Sequence, residues 1–271
     1  MSRVRAPQGP PNIYPHPMNN HLNIPSLDQE RIDLFIATAK KMGLKPKQVS
    51  DAGLLSIQVD GKERYVFHKS SNPNWVMPSW LSENKYMARV IFERNGLPNI
   101  PFCLPTNTSV AQSFLSDHGK IIAKPIKGKK AQDIKLISSS FELDDINLEG
   151  RILEKFIEGQ ETRILVVAGQ VIAVHLRVYD ALIMDDPDIV KRVSVHKTEW
   201  DKTLIQQAIK AAEVIGLQFC VVDFLVTERN EQFILEINSA PGIDKFEVPD
   251  EGPPTEMMKI YIEQLVKNYS L

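Results

Sequence analysis

The chain has 271 residues, 43% hydrophobic and 24% charged, with 32 Lys and Arg against 34 Asp and Glu, for a formal charge of −2. That length can bury a full core, and the near-neutral balance gives no electrostatic case for nucleic acid. Only two cysteines (Cys103 and Cys220) argue against a disulfide framework, no apolar run approaches the ~20 residues of a bilayer span, and no apolar stretch follows the N-terminal basic residues as in a signal peptide. A soluble, cytoplasmic protein is expected.

Residues 1–26 hold Pro7, Pro10, Pro11, Pro15, Pro17 and Pro25 with almost no apolar content, which reads as a disordered arm. Its alternative is docking on a neighbouring subunit, as in a homodimer. Apolar residues at helical spacing predict a helix over 29–42, with Gly43 in the C′ position that stops it. Strands at 54–59 and 64–68 flank Asp60-Gly61, a strong hairpin signal. Ser82 is a good N-cap for a helix ending before Gly96-Leu97-Pro98. Lys85 then falls in the first turn, where the helix dipole disfavours a cation unless a phosphate is near. By itself, it reads as a surface lysine.

Further elements are expected as a helix over 109–117, a strand holding Lys124, a polar loop, a short helix over 141–146 and a strand over 151–157. Runs 163–167 and 171–176 form a hairpin across Ala168-Gly169-Gln170. Arg163 shares a face with Glu161 by the period-two rule. Arg177 joins that face if the loop has three residues, and turns away if it has two. The apolar stripe over 202–215 is a core helix, and 255–269 closes the chain as another.

The final hairpin says most. Runs 221–226 and 233–238 flank a polar stretch centred on Arg229-Asn230, and any even, symmetric loop there places Asp223 opposite Glu236. Directly opposed like charges repel. Asn238, two residues beyond Glu236, shares its face. Two facing carboxylates and an amide oxygen on an apolar hairpin call for a hard cation, Mg²⁺ before Zn²⁺. The bland alternative is two charges on a solvated sheet face.

Asp223, Glu236 and Asn238, followed by Ser239-Ala240-Pro241-Gly242, resemble the metal-binding end of the ATP-grasp ligases. Ile121-Ile122-Ala123-Lys124-Pro125 looks like their strand with a phosphate-contacting lysine. Ile152-Leu153-Glu154-Lys155-Phe156-Ile157, then Gly159 and Glu161, looks like their adenine hinge and ribose-binding acid. Lys85 sits where the family places its other phosphate lysine. The resemblance runs from about Asp28 to the C-terminus and is nearest to the ligase domains of cyanophycin synthetase and of the bifunctional glutathione-forming enzymes.

The resemblance implies an α+β, ATP-grasp fold with a reduced N-terminal α/β unit over 27–105, a small subdomain over 106–157 and a C-terminal subdomain over 158–271. It implies ATP and two Mg²⁺ ions, with Mn²⁺ as a substitute, and small amino-acid or peptide substrates. Glu154 to Ile157 would read adenine, Glu161 the ribose, and Lys85 and Lys124 the phosphates. Asp223, Glu236 and Asn238 would hold the metal, while Arg163 and Arg177 would act in catalysis on the acyl phosphate of an amide-forming reaction. A kinase acting on a hydroxyl and a non-catalytic nucleotide-binding module are the other readings. Two departures stand out. The phosphate loop (Lys127-Gly128-Lys129-Lys130-Ala131-Gln132-Asp133) keeps a single glycine, and the segment after Arg177 lacks the family's proline- and glycine-rich continuation.

Overall fold

Short-range signals set most of the elements. In the computed structural model, residues 26–49, 54–67, 76–127, 133–179 and 190–270 are described. The proline-rich arm, save Ser26, and positions 128–132 and 180–189 lie outside them. Helix α1 (Ser26–Lys41) ends where Gly43 adopts φ 77°, a conformation that costs glycine no Cβ clash. Strands β1 (Lys47–Gln48), β2 (Leu54–Val59) and β3 (Lys62–Phe67) form an antiparallel sheet in that order. Asp60 and Gly61, at φ 50° and 73°, make the tight turn between β2 and β3.

The next region corrects one expectation. Ser82 does not start a helix; it lies within α2 (Val76–Glu83), its hydroxyl donating to the Ser79 carbonyl. The cap belongs to Asn84, whose Oδ1 accepts from the Met87 N–H (3.1 Å) at the start of α3 (Lys85–Arg94). Both residue types cap well, and packing chose between them. Lys85 is therefore the first residue of its helix.

Strand β4 (Phe102–Cys103), helix α4 (Thr108–His118), strands β5 (Ile121–Pro125) and β6 (Lys135–Ile137), helix α5 (Ser140–Asp144) and strand β7 (Arg151–Lys155) build a four-stranded sheet, order β4-β7-β5-β6. Ile121, Ala123, Ile137 and Leu153 pack beneath α4 and α5 in their own core. Strand β6 went unforeseen because its three residues carry no legible period.

The larger sheet has the order β10-β9-β8-β11-β12, from β8 (Gln160–Val167), β9 (Gln170–Tyr179), β10 (Val190–Ser194), β11 (Phe219–Val226) and β12 (Gln232–Asn238). Helix α6 (Lys202–Ile215), capped by Asp201, covers one face through Ala208, Ala211, Ala212 and Ile215 against Ile164, Val166, Val222 and Phe224. On the other face, Leu165, Val167, Phe219 and Val221 share a core with α1, β2, α7 (Asp244–Glu247) and α8 (Met257–Tyr269). Burying each such Ile, Leu or Phe is worth roughly 1.5–3 kcal/mol. Toward the other end of the strands this second face turns polar. Both cysteines are free, and no helix among the described residues is long and apolar enough to cross a membrane.

Candidate active site

Two β-bulges align the polar face. The turn between β8 and β9 has two residues, Ala168 and Gly169, both at positive φ, and Val167 pairs with Gln170. That turn alone would send Arg177 to the opposite face. The register then shifts between Leu165 and Val166, so that Leu165 meets Ala173 and Glu161 meets Arg177. A bulge thus does what a three-residue loop was expected to do. The β11–β12 hairpin repeats the device. Its loop spans residues 227–231, an odd number, with Val226 opposite Gln232, yet a shift between Asp223 and Phe224 restores the Asp223–Glu236 pair.

The outcome is one row across five strands: Ser194, His175, Arg163, Asp223 and Glu236 stand in register. A second row holds Arg192, Arg177 and Glu161. Arg163 Nε donates to Asp223 Oδ1 at 2.9 Å, and Arg177 Nη1 to Glu161 Oε1 at 2.7 Å. The Tyr179 hydroxyl donates to Glu161 Oε2 at 2.6 Å. Asn238 Nδ2 bridges Asp223 Oδ2 and Glu236 Oε1, 2.9 Å to each.

Asp223 is 1% exposed. Burial, together with the facing Glu236 and Glu161 carboxylates, outweighs Arg163 and raises its pKa to about 6. Glu236 moves the other way: burial opposes its charge, but the Asn238 hydrogen bond and the nearby Lys124 and Lys85 hold it low. Among the described residues no three His, Cys, Asp or Glu gather into a metal cage. A carboxylate pair plus an amide nevertheless suits Mg²⁺, which takes one or two carboxylates and fills its shell with water and phosphate oxygens. The Asn238 amide donors occupy the place between the carboxylates that such a cation would take.

Facing this hairpin is a buried ionic cluster. Lys124 Nζ lies 2.7 Å from Glu154 Oε2, and Arg89 Nε 2.9 Å from Glu154 Oε1. Glu154 is therefore a buried, doubly paired acid and not a surface charge at a strand end. Burial disfavours its charge, but Arg89 and Lys124 hold its pKa below the usual carboxylate range. Burial lowers the pKa of both Lys124 and Lys85, against the pull of Glu154 and Glu236. The Lys85 N–H donates to the Ile126 carbonyl (3.0 Å), tying α3 to the end of β5.

Arg89 was missed in the sequence. Its guanidinium also donates to Asn99 Oδ1 and to the carbonyls of Ile234 and Leu235, beside the β12 bulge. The sole available signal was its place one helical turn after Lys85. His175, Tyr179 and Arg192 were missed too; their roles depend on strand pairing.

Ile100, Ile122, Lys124, Glu154, Phe156, Ile157, Leu225 and Leu235 line a cavity of ≈ 210 Å³ between the two sheets. The N–H groups of Lys155 and Phe156 are already bonded to the carbonyls of Pro101 and Lys120. A Cβ on Gly159 would come 2.8 Å from the Val226 carbonyl oxygen, so only glycine lets the post-hinge chain pass β11. A larger open depression of ≈ 340 Å³ beside α4 and α5 shares no residue with this site. In the loop after β5, Lys127 sits over the Trp80 ring at 5.5 Å, while Lys129 and Lys130 fall outside the described residues.

Comparison with known proteins bears on the family and the fold. A RimK-like ATP-grasp domain matches residues 82–251. The chain is 26% identical over 230 residues to a D-alanine--D-alanine ligase of Trichlorobacter lovleyi, covering 80% of this chain and 71% of that one. Against the D-alanine--D-alanine ligase of Neisseria gonorrhoeae it is 26% identical over 184 residues, 62% of this chain and 60% of that one. The chain thus spans between 60% and 71% of these two relatives. Among solved structures, a bifunctional glutathione synthetase from Pasteurella multocida superposes with TM-score 0.64 at 13% identity, over 88% of this chain and 43% of that one. The macrocyclase MdnC bound with precursor peptide MdnA from Microcystis aeruginosa gives TM-score 0.62 at 16% identity, over 88% and 96%. At such identities the likeness is one of fold. With well over half its length matched by one domain, the protein belongs to the RimK-like ATP-grasp family and carries the α+β fold of the ATP-grasp ligases.

Proposed function

We propose that the protein is an ADP-forming carboxylate–amine ligase working through an acyl phosphate, with ATP bound between the two larger sheets. The observation that carries this reading is the row Arg163–Asp223–Glu236 facing the Lys124–Glu154 cluster. Carboxylates for metal, cations for phosphate and an apolar cavity adjoin one another there.

In this reading the cavity takes adenine beside Phe156. Because the two preceding N–H groups are spent, the Ile157 peptide meets the base edge. Glu161 accepts from ribose hydroxyls with the lone pairs that Arg177 and Tyr179 leave open. Lys85 and Lys124 hold phosphate oxygens as point charges. Asp223, Glu236 and Asn238 would hold two Mg²⁺; such ions, when bound, neutralise charge on the transferring phosphoryl group. Arg163 and Arg177 steady the acyl phosphate, where one buried, water-excluded donor is worth about 3 kcal/mol of transition-state stabilisation.

A substrate carboxylate oxygen bonds to the γ-phosphorus as the bond to the ADP oxygen breaks. An amine then adds to the acyl carbon, loses its proton, and expels inorganic phosphate to leave an amide. Small amino acids or peptides are the proposed substrates, and free cysteines together with ATP dependence agree with the cytoplasm. Hydroxylamine tests the reading. With a carboxylate panel, ATP and Mg²⁺, trapping should yield hydroxamate and ADP together. A stable phosphorylated alcohol without hydroxamate would mean a kinase, and no turnover across the panel a binding module.

A further inference from the structure

Helix α1 lies outside the stretch 82–251 that the family domain matches, yet it grips the segment that follows Asn238. Arg31 Nε donates to Asp244 Oδ1 and Arg31 Nη2 to Asp244 Oδ2, a two-pronged ion pair between residues 213 positions apart. Such a fork fixes orientation as well as distance. A Cβ on Gly242 would come 3.4 Å from the same guanidinium, so the chain already runs close to Arg31 two residues before the pair. Asp244 opens α7, a helix of four residues whose N-cap, Ile243, supplies no side-chain bond. A helix that short does not hold itself. Contacts from elsewhere set its place: Arg31 at its start and, at its end, Glu247, which accepts from the Met258 N–H of α8 at 2.8 Å.

What α7 carries is Phe246, 1% exposed and packed in one core with Ile32 and Phe35 of α1. Its ring meets two side chains of the polar row. The His175 ring lies 4.3 Å away, tilted by 37°, and the Arg163 guanidinium carbon stands over the Phe246 ring at 5.8 Å. Burial, with Arg163 and Arg192 nearby, lowers the His175 pKa to about 4, so that ring adds no charge. A cation over an aromatic face is attracted by the ring quadrupole, more strongly where water is excluded. The Arg163 side chain is 12% exposed. Arg163 is thus held twice, at its Nε by Asp223 Oδ1 at 2.9 Å and by the Phe246 ring. A continuous line of contacts, Arg31 to Asp244, along α7 to Phe246 and on to Arg163, joins the N-terminal helix to the polar row.

We infer that Phe246 is a positioning residue for Arg163, and that Arg31, acting through Asp244, keeps Phe246 in place. The N-terminal helix thus belongs to the working parts of the site as well as to the core. The inference rests on the proposed function for what Arg163 does once it is positioned.

Hydrogen exchange of the Arg163 Nε–H reads the position directly, since that proton is protected while it is bonded to Asp223. It is followed by NMR on the arginine-labelled full chain and assigned by its loss in Arg163→Lys. Phe246→Leu keeps an apolar side chain in the core and should speed this exchange about ten-fold, the factor of one water-excluded cation–π contact. Arg31→Gln and Asp244→Asn should each speed it to a lesser degree, and the double variant no more than either alone, because they break one pair. Arg31→Lys should fall between Arg31→Gln and the unaltered protein. Lys259→Gln, which breaks an exposed ion pair on neighbouring α8, should leave the exchange unchanged. Affinity for a non-hydrolysable ATP analogue with Mg²⁺, which reports folding, should be kept throughout, while hydroxamate yield falls in the order that exchange rises. Unchanged exchange in Phe246→Leu or in Arg31→Gln, or an equal rise in Lys259→Gln, overturns the inference. No hydroxamate from the unaltered protein overturns the ligase reading instead, and the exchange rates still decide the positioning.

Discussion

Lys124 and Glu154 form an ion pair of 2.7 Å with 6% and 3% of their side chains exposed. Glu154 is held from its other side by Arg89. A lysine so placed is held in one position, and in the proposed function its ammonium serves a phosphate oxygen as well as the Glu154 carboxylate.

Lys124→Met should therefore act twice. ATP should weaken far more than adenosine, because the lost contact is to phosphate alone. Stability should fall by roughly 1–3 kcal/mol, below the full cost of breaking a buried pair because Arg89 still serves Glu154. Calorimetric titration of both ligands and urea unfolding measure the two effects. Equal losses for ATP and adenosine would contradict the phosphate role.

The carboxylate pair makes asymmetric demands. The fold disfavours the Asp223 charge, through burial and the Glu236 and Glu161 carboxylates, whereas Asn238, Lys124 and Lys85 favour the charge of Glu236 over the cost of its burial. Both Asp223→Asn and Glu236→Gln should abolish Mg²⁺-dependent turnover, but Glu236→Gln should lower the melting temperature of the metal-free protein at pH 7 more than Asp223→Asn does. A melting temperature lowered more by Asp223→Asn would reverse this assignment.

Acid titration gives two opposed slopes. The Asp223 pKa is raised to about 6, so the folded chain holds a proton that the unfolded one has lost. Its stabilisation is complete below its ordinary value near 4 and disappears as pH rises through about 6. His175, lowered to about 4, contributes stability that is complete above about 6.5 and lost as pH falls toward 4. Each proton carries at most ~1.4 kcal/mol per pH unit. In His175→Gln, stability should thus decline more steeply from pH 4 to 6 than in the unaltered protein. Mg²⁺ affinity should fall below about pH 6, where Asp223 protonates. Urea unfolding and Mg²⁺ titration across this range read both.

Arg89 secures the register of the site. Arg89→Lys keeps the charge but loses the planar fork that serves Glu154, Ile234 and Leu235 together. Turnover and Mg²⁺ activation should fall with the fold retained, while Arg89→Met should cost on the order of 3–5 kcal/mol by leaving buried carbonyls and a carboxylate under-served. Full Mg²⁺ activation in Arg89→Lys would reduce the residue to a packing role.

Gly159→Ala should destabilise by roughly 1–3 kcal/mol, since the new methyl meets a strand carbonyl with little room to yield. ATP affinity should drop with it, because the displaced chain carries Phe156 and Ile157. Unchanged affinity would separate the cavity from nucleotide binding.

The amino-acid order alone determined what local physics can determine. The Asp60-Gly61 turn, the glycine stop after α1, the amphipathic 202–215 helix and the apolar runs around Asp223 and Glu236 all depend on neighbours a few residues apart. Spacing along the chain was also enough to bring Lys85, Lys124, Glu154, Glu161 and the carboxylate pair under one family resemblance. What tertiary structure decided was register and partnership. Neither bulge is written in a turn signal, yet each moves every later side chain to the other face, and Arg177 and Glu236 reach the polar face only through them. The choice of Asn84 over Ser82 as cap, and the pairing of Glu154 with Arg89 across 65 residues, likewise turn on contacts between distant segments. A buried charge takes whichever partner packing delivers, and that partner leaves no periodic mark in the chain.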